Sequence, residues 1–404
     1  MLWLEEAGKG WNPFPSSGHS IPRGMNMRKR GHSQGDHYYF IFQWNRKMTR
    51  SPVIIRVDAN PNLGYEHMNR CLVLAAALQR RRRQAFFLSS FEPGSLGFQV
   101  KRAGYEWLEA TAEIGTEDDL QEVLQEARRI QACAVIVDTP HVSAEYLQAI
   151  KDAGLMVVSI DHFANGDFPS NIVFNPMLGP SLESYELGHG TQILAGERYA
   201  LVRSEIRRVR PLRAQESPEP FRAVIALGDN DPNNQVAEIA RQLINTPKVS
   251  RVDILARQYY SNLDELKQLA EQSEGKIGVY TEPSEAPSKL SRCHFAITAG
   301  NYWSLEMACI GVPQLIIVQN DACWPTASRL EEEGAASILG SHEKITPALL
   351  REAVTNLLED SLERQGMARC GRQLIDGRGN DRIVTAFEVM MQPYIHAEEL
   401  REAA

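Results

Sequence analysis

The chain has 404 residues, 43% of them hydrophobic and 23% charged, with a formal net charge of −8. That is too long for one ordinary core and fits two globular domains of about 150 to 200 residues each. The acidic balance argues against a general nucleic-acid binder, which needs a basic surface, while leaving room for a small anionic ligand at a locally positive site.

The six cysteines, Cys71, Cys133, Cys293, Cys309, Cys323 and Cys370, are scattered without a C-x-x-C pair. They read as reduced, mostly buried thiols and indicate neither a disulfide framework nor a thiolate zinc site. No stretch approaches the roughly 20 apolar residues of a membrane helix. The apolar run from Tyr38 to Trp44 after Arg28-Lys29-Arg30 is short and lacks a small-residue cleavage site, so a cytoplasmic location without stable membrane insertion is expected.

Residues 1–47 are rich in Gly, Ser, Pro, His and Arg without a sustained period and are expected to form a disordered extension. From Val53 onward apolar, β-branched runs at 53–57, 85–88, 134–137 and 155–160 alternate with amphipathic segments such as 144–153. That alternation predicts a parallel sheet covered by helices on both faces.

The stretch after the first run, Asp58-Ala59-Asn60-Pro61-Asn62-Leu63-Gly64-Tyr65-Glu66-His67, leads from a strand through a tight loop into a helix with a histidine in its first turn. Unpaired N–H donors and aligned peptide dipoles at such a helix start favour an anion, most simply a phosphate, with an acid or base at hand. Met68, Cys71, Leu72, Ala75 and Leu78 share one face of the helix. The run Arg80–Arg83 reads as its solvated end. Asp58, Asp138 and Asp161 each close a strand of this unit and so gather at one carboxyl edge, where a His–Asp pairing suited to a general base can form. The bland alternative for His67 is a partly exposed histidine at a helix start. Asp161-His162 has no third ligand at a recognisable spacing, so no metal is expected.

Residues 203–220 are charged and proline-containing and read as an interdomain linker. A second series follows, with strands expected at 223–227, 252–256, 295–298 and 314–318. Its helices fall near 235–244, 262–272, 303–310 and 325–333, and two more near 347–358 and 381–391. Two such units face a cleft with the carboxyl ends of their strands. In the second unit Gly228 to Asn234 follows a strand and precedes a helix; an anion loop and a plain turn with an Asp or Asn capping the helix both fit. The run Ala299-Gly300-Asn301-Tyr302 opens the next helix, where small residues permit close approach of a ligand. Glu306, one turn in, either accepts both hydroxyls of a ribose or merely complements the helix dipole or lies in solvent.

At these residues the chain resembles a known family, the UDP-2,4-diacetamido-2,4,6-trideoxy-β-L-altropyranose hydrolases of pseudaminic acid biosynthesis. These are relatives of the UDP-GlcNAc transferase of peptidoglycan synthesis. The likeness spans about residues 53–390. The family's opening I-R-A-D-x-x-x-x-I-G-x-G-H-x-M-R-C is matched by Ile55, Arg56, Asp58, Leu63, Gly64, His67, Arg70 and Cys71. Val137-Asp138, Ser159-Ile160-Asp161, Tyr199 to Arg203, Glu306 with Gly311-Val312-Pro313, and Asp376 to Gly379 follow in family order.

The resemblance implies an α/β protein of GT-B type, with two Rossmann-like domains, 48–210 and 211–380, facing across a cleft, and a C-terminal helix over 381–404. It implies a UDP-sugar substrate, no cofactor and no metal, and release of UDP from a UDP-activated amino or deoxy sugar, with a hydroxyl acceptor in place of water as the alternative. A non-catalytic sugar-nucleotide binder is the third reading. Carried over, His67 is the base or water-orienting group, with Asp58 and Asp138 as the candidate acids beside it. Gly64, Tyr65, Arg70 and Asp161 lie on the sugar side; Gly228, Asp231, Gly300, Asn301 and Glu306 lie on the nucleotide side. The chain departs from the family at three places: Glu66 stands where the second loop glycine is, Asp138-Thr139-Pro140 replaces Asp-His-Tyr with His141 as the candidate substitute, and Gly228-Asp229-Asn230 replaces a glycine pair. These departures fit a changed sugar, a changed acceptor or lost catalysis.

Overall fold

A computed structural model describes residues 50–139, 142–229, 231 and 234–402. The extension expected over 1–47 and the candidate His141 lie outside the described residues. In chain order the first half contains β1 (Arg50–Val57), α1 (Glu66–Arg80), β2 (Arg83–Ser89), α2 (Ser95–Arg102), β3 (Glu106–Glu109), α3 (Glu117–Ile130), β4 (Ala134–Asp138), α4 (Ala144–Asp152) and β5 (Met156–Ile160). Four short strands follow: β6 (Asp167–Phe168), β7 (Ile172–Phe174), β8 (Glu186–Leu187) and β9 (Gln192–Leu194).

After the four-residue helix α5 (Ser204–Arg207) come β10 (Phe221–Ala226), α6 (Gln235–Ile244), β11 (Val249–Leu255), α7 (Leu263–Gln272), β12 (Ile277–Tyr280), α8 (Ala286–Leu290), β13 (Phe295–Thr298), α9 (Tyr302–Ile310) and β14 (Gln314–Val318). The chain ends with α10 (Trp324–Glu332), β15 (Ser337–Ser341), α11 (Pro347–Glu359), α12 (Ser361–Leu374) and α13 (Gly379–Glu402).

Two large parallel sheets result, ordered β3-β2-β1-β4-β5-β7-β9 and β12-β11-β10-β13-β14-β15, beside a small parallel pair β6-β8. Central strands such as β4 and β5 are buried at every residue, as continuous apolar runs covered on both faces must be. In the first unit α1 and α2 cover one face, with Leu74, Leu78, Leu96 and Val100 in its core; α3 and α4 cover the other through Leu120, Val123, Leu147 and Ile150. Local chemistry sets the helix starts: Thr116 Oγ1 accepts from Asp119 N ahead of α3, and Ser143 Oγ from Tyr146 N ahead of α4. In each sheet the order reverses direction beside the first strand, between β1 and β4 and between β10 and β13. In open α/β sheets the crevice outside the carboxyl ends at such a switch point is where ligands bind.

Three expectations need correction. Arg83 is not part of a solvated helix end: it opens β2, is 1% exposed, and pairs with Glu388 of α13 at 3.0 Å while lying over the Phe387 ring. The stretch 203–220 is not a free linker, because Arg203, Arg210 and Arg213 bind carboxylates or carbonyls of the second unit. The last helix, expected over 381–404 as an element apart from the two domains, packs back on the first unit. Asn380 bonds Val202 through its carbonyl oxygen (3.2 Å) and its amide (2.8 Å), and Ile383, Val384, Phe387 and Met391 complete the core that holds Leu74 and Leu78. Edge strands β3, β12 and β15 are short and only partly buried, which is why their pattern was too weak to read.

The α13 contact is therefore part of the first unit's core. Phe387→Ala is expected to lower unfolding free energy by about 3–5 kcal/mol, the usual cost of emptying a buried aromatic site. Urea denaturation followed by circular dichroism checks this; a loss within 0.5 kcal/mol, roughly the range of neutral surface changes, would show that the helix is merely laid on the surface.

Candidate functional site

The first loop is shaped by its own side chains. Asn60 Oδ1 accepts from the N–H groups of Asn62 and Leu63, both at 2.9 Å, and Gly64 N donates to Asn60 O at 2.9 Å. Gly64 takes φ +82°, a backbone region that costs other residues strain, and this turn swings the chain into α1. Tyr65, just ahead of the helix, supplies no side-chain cap. The helix start thus carries no cap from the residue before it.

In the first turn of α1, His67 meets Asp138 at the end of β4, with Nδ1 2.7 Å from Asp138 Oδ1. Arg70 grips the same carboxylate: Nε lies 2.5 Å from Oδ2 and Nη2 bonds Oδ1. Arg70 Nη2 also lies 2.8 Å from His67 Nδ1. One nitrogen cannot both donate to the carboxylate and accept from the guanidinium. Because an ionised carboxylate only accepts, the Nδ1–H tautomer satisfies the pair, and the lone pair then sits on Nε2, as a general base requires. Burial alone would favour a neutral Asp138, but Arg70 and then His67 outweigh it and hold the carboxyl far below its ordinary range.

The cluster extends through His162, whose Nδ1 is 3.1 Å from Arg70 Nη1, and Tyr302, whose hydroxyl is 3.5 Å from the same atom. Burial, followed by the Arg70 charge, pushes His162 down to about 3, so it is neutral and supplies an uncharged ring beside His67. Cys71 Sγ sits 3.3 Å from Asp138 Oδ2, and burial and that carboxylate raise the thiol well above its usual value. Cys71 is thus a buried thiol and no nucleophile.

The second unit supplies the opposing wall. Asn301 precedes α9, its Oδ1 accepting from Trp303 N at 3.1 Å and its Nδ2 donating to Leu227 O at 3.0 Å. Gly228 lies beneath that amide. Gly300, at φ +82°, must be glycine on a second count: a Cβ there would fall 2.7 Å from Cys323 O and 2.9 Å from Ala327 Cβ. The two walls touch directly. Asn69 Nδ2 donates to Asp229 Oδ2 (2.6 Å) and Tyr259 Oη (3.3 Å), Asn301 Nδ2 reaches Glu66 Oε1 (3.4 Å), and the rings of Tyr65 and Tyr259 lie 3.9 Å apart. The seam in front of α1 is closed by side chains.

Of the expected site residues, His67, Asp138, Arg70, Gly64, Tyr65, Gly228, Gly300 and Asn301 come together at this seam. Four do not behave as expected. Asp58 faces Arg56 (2.5 Å) and Ser90 N (2.8 Å) and not His67, because the fully buried Arg56 guanidinium, bonded also to Asp119 at 2.6 Å, requires its carboxylate. Asp161 turns to the N–H groups of Phe163 and Ala164 (3.0 and 2.8 Å) and shapes its own loop. Asp231 caps α6, accepting from Gln235 N and Val236 N at 2.9 and 2.8 Å, which is the plain-turn reading. Glu306 is 5% exposed and held by Arg203 Nε and Nη2 at 2.8 and 2.7 Å and by Arg203 N at 3.1 Å, so a ribose would have to displace a guanidinium. Asn69, Arg257 and Tyr259 were missed. Arg257 and Tyr259 lie just past the carboxyl end of β11, the same edge that marked the other candidates. Among the described residues no group of three or more His, Cys, Asp or Glu is placed to hold a metal ion, and no helix is long and apolar enough to cross a membrane.

Two parallel-sheet units whose carboxyl edges meet at this seam define a GT-B fold, the architecture of many glycosyltransferases. The MurG structure from Acinetobacter baumannii superposes with a TM-score of 0.57 at 14% identity, covering 83% of this chain and 99% of that one. The spinosyn rhamnosyltransferase SpnG, complexed with thymidine diphosphate, gives 0.57 at 15% identity over 84% and 100%. Among curated proteins the chain is similar to the spore coat polysaccharide biosynthesis protein SpsG of Bacillus subtilis strain 168, 21% identical over 277 residues, 68% of this chain and 81% of that protein. No protein-family model matches.

Glu66 makes the seam sensitive to pH. Burial, then the Asp229 charge, raise its carboxyl from 4.5 to about 7. Between those values the folded state holds more protons than the unfolded, so this group's contribution falls as pH rises from about 4.5 to about 7 and levels off above. Glu66→Gln is expected to raise Tm relative to wild type at pH 8 and to match it near pH 4.5. Scanning calorimetry at both values checks this; a constant difference would mean that Glu66 does not titrate in the seam.

Proposed function

We propose that the protein transfers a glycosyl group from a nucleoside-diphosphate sugar, with His67 as general base. The observation that carries the reading is the His67–Asp138 pair at an uncapped helix start, at the topological switch point of a GT-B fold. The similarity to a protein named for polysaccharide biosynthesis and the likeness in fold to MurG and SpnG support transfer to an acceptor hydroxyl over transfer to water.

In this mechanism Nε2 of His67 takes the proton of the acceptor O–H as that oxygen bonds to the anomeric carbon. The bond from that carbon to the diphosphate oxygen breaks, and the electron pair leaves with the diphosphate. Asp138 orients the imidazole and stabilises the imidazolium, while the first-turn N–H groups of α1 receive negative charge. Binding requires the seam to part, exchanging the Asn69–Asp229 and Glu66–Asn301 contacts for contacts to the nucleotide sugar. Glu66 and Asp229 disfavour a diphosphate while ionised, so uptake of a proton by Glu66 accompanies binding. With water in the acceptor's place the same steps give the hydrolase implied by the loop resemblance.

The test is release of nucleoside diphosphate from UDP- and dTDP-activated amino and deoxy sugars, with and without hydroxyl acceptors. Release is expected to require an acceptor and to fall about 10²- to 10⁴-fold in His67→Gln, the usual worth of a general base. Acceptor-independent release would assign water as the acceptor. Equal rates in wild type and variant would remove His67 from the chemistry, and no release from any donor by folded protein would defeat the catalytic reading.

A further inference from the structure

A cavity of ≈ 650 Å³ lies in the second unit, lined by Arg210, Arg213, Arg364, Arg369 and Arg372 and by a single carboxylate, Glu216. Its other lining residues include His294, just ahead of β13, and Pro313, just ahead of β14. It therefore opens on the amino edge of the sheet whose carboxyl edge forms the seam. The volume is that of a small-molecule pocket.

The charges do not close among the lining residues. Arg364 pairs with Glu216 at 2.6 Å, which uses the one acid. Arg210 donates to the carbonyls of Cys309 (2.7 Å), Ile375 (2.8 Å) and Arg372 (2.6 Å), and Arg213 to those of Leu290 (2.9 Å) and Cys293 (2.6 Å). These carbonyls belong to the ends of α8, α9 and α12, so the bland account is that both arginines cap helix C-termini.

Capping explains part of the cluster. A helix end carries about half a charge and does not neutralise a guanidinium. Arg213 is 7% exposed, and its Nε has no hydrogen-bond partner among the described residues. Arg372 donates to Arg213 O at 2.8 Å, and burial together with the Arg210 and Arg213 charges lowers its pKa below the usual guanidinium range. Arg369 is exposed and makes no ion pair among the described residues. Burial lowers His294, which adds no positive charge of its own at neutral pH. A chain of net charge −8 thus concentrates five arginines and one acid around one concavity. Such a cluster is stabilised by a multivalent oxyanion, which guanidinium groups bind through paired N–H donors.

We propose that this cavity is a second binding site, distinct from the seam, for a ligand bearing a phosphate or diphosphate group. The ligand is either a free phosphorylated small molecule or the headgroup of an anionic lipid, and the chemistry recognised is the same.

Calorimetric titration of the full chain with inorganic pyrophosphate tests the site. Arg369→Glu is the informative variant, because Arg369 holds no carbonyl and its replacement leaves the helix caps in place; far-ultraviolet circular dichroism and Tm verify its fold. Wild type is expected to bind, more weakly as salt rises, and Arg369→Glu to bind at least tenfold more weakly. His67→Gln is expected to bind like wild type. Co-sedimentation with phosphatidylglycerol vesicles against phosphatidylcholine vesicles separates the sources: capture by the former that is lost in Arg369→Glu assigns a lipid headgroup, and pyrophosphate binding without capture assigns a soluble ligand. No binding in either arm, or binding indifferent to Arg369→Glu, overturns the proposal, as does pyrophosphate binding that is lost in His67→Gln alone.

Discussion

The carboxylate of Asp138 is the charge around which the first wall of the seam is organised. It is fully enclosed at the end of a central strand and is bonded by Arg70, His67 and Cys71. A buried carboxylate is tolerated only with a partner of opposite charge and with its lone pairs satisfied, and removing one partner from such a pair typically costs about 3–5 kcal/mol. The four residues come from two elements that the sheet sets side by side: β4 pairs with β1 in register, and α1 follows β1 by a turn. Positioning of the imidazole is thus a consequence of satisfying the acid, and the same bond that stabilises the fold selects the tautomer with a basic Nε2.

The second wall is pressed against this cluster by polar contacts that carry an electrostatic tension. Glu66 and Asp229 face one region from opposite walls, each moderated by amides and by Arg257. Two acids in one place do not stabilise the closed seam, so the protonation of Glu66 links closure and pH. The return of α13 onto the first unit means that the chain crosses between units twice, once near 203 and once at 379, with Asn380 bonded to Val202 where the crossings meet.

The arginine cavity sets a different charge balance at the other edge of the same sheet. There the helix C-termini converge and draw cations, whereas at the seam the helix starts converge and favour anions. Parallel strand–helix alternation makes this polarity unavoidable, since every helix in such a unit starts near the carboxyl edge and ends near the amino edge.

Much of this was legible in the residues. The apolar runs that became β13, β14 and α6 were read with the bounds observed, because buried strands and amphipathic helices leave strong periodic signals. The strand-loop-helix around Gly64 and His67 is likewise local chemistry, set by Asn60, Gly64 and the missing cap. The pairing of His67 with Asp138 and not with Asp58 was beyond reach, because both acids end adjacent strands and differ only in what else they must serve: Asp58 is claimed by the buried Arg56. The same holds for Glu306, claimed by Arg203 from a segment that reads as a linker, and for the arginine cavity, whose members are spread from 210 to 372. The alternation, the helix starts and the edge where these side chains gather are written along the chain, since they depend on neighbours a few residues away. Which charge meets which is settled by folding, because a buried ion takes its partner from whatever the folded chain brings within about 3 Å, regardless of the distance along the sequence.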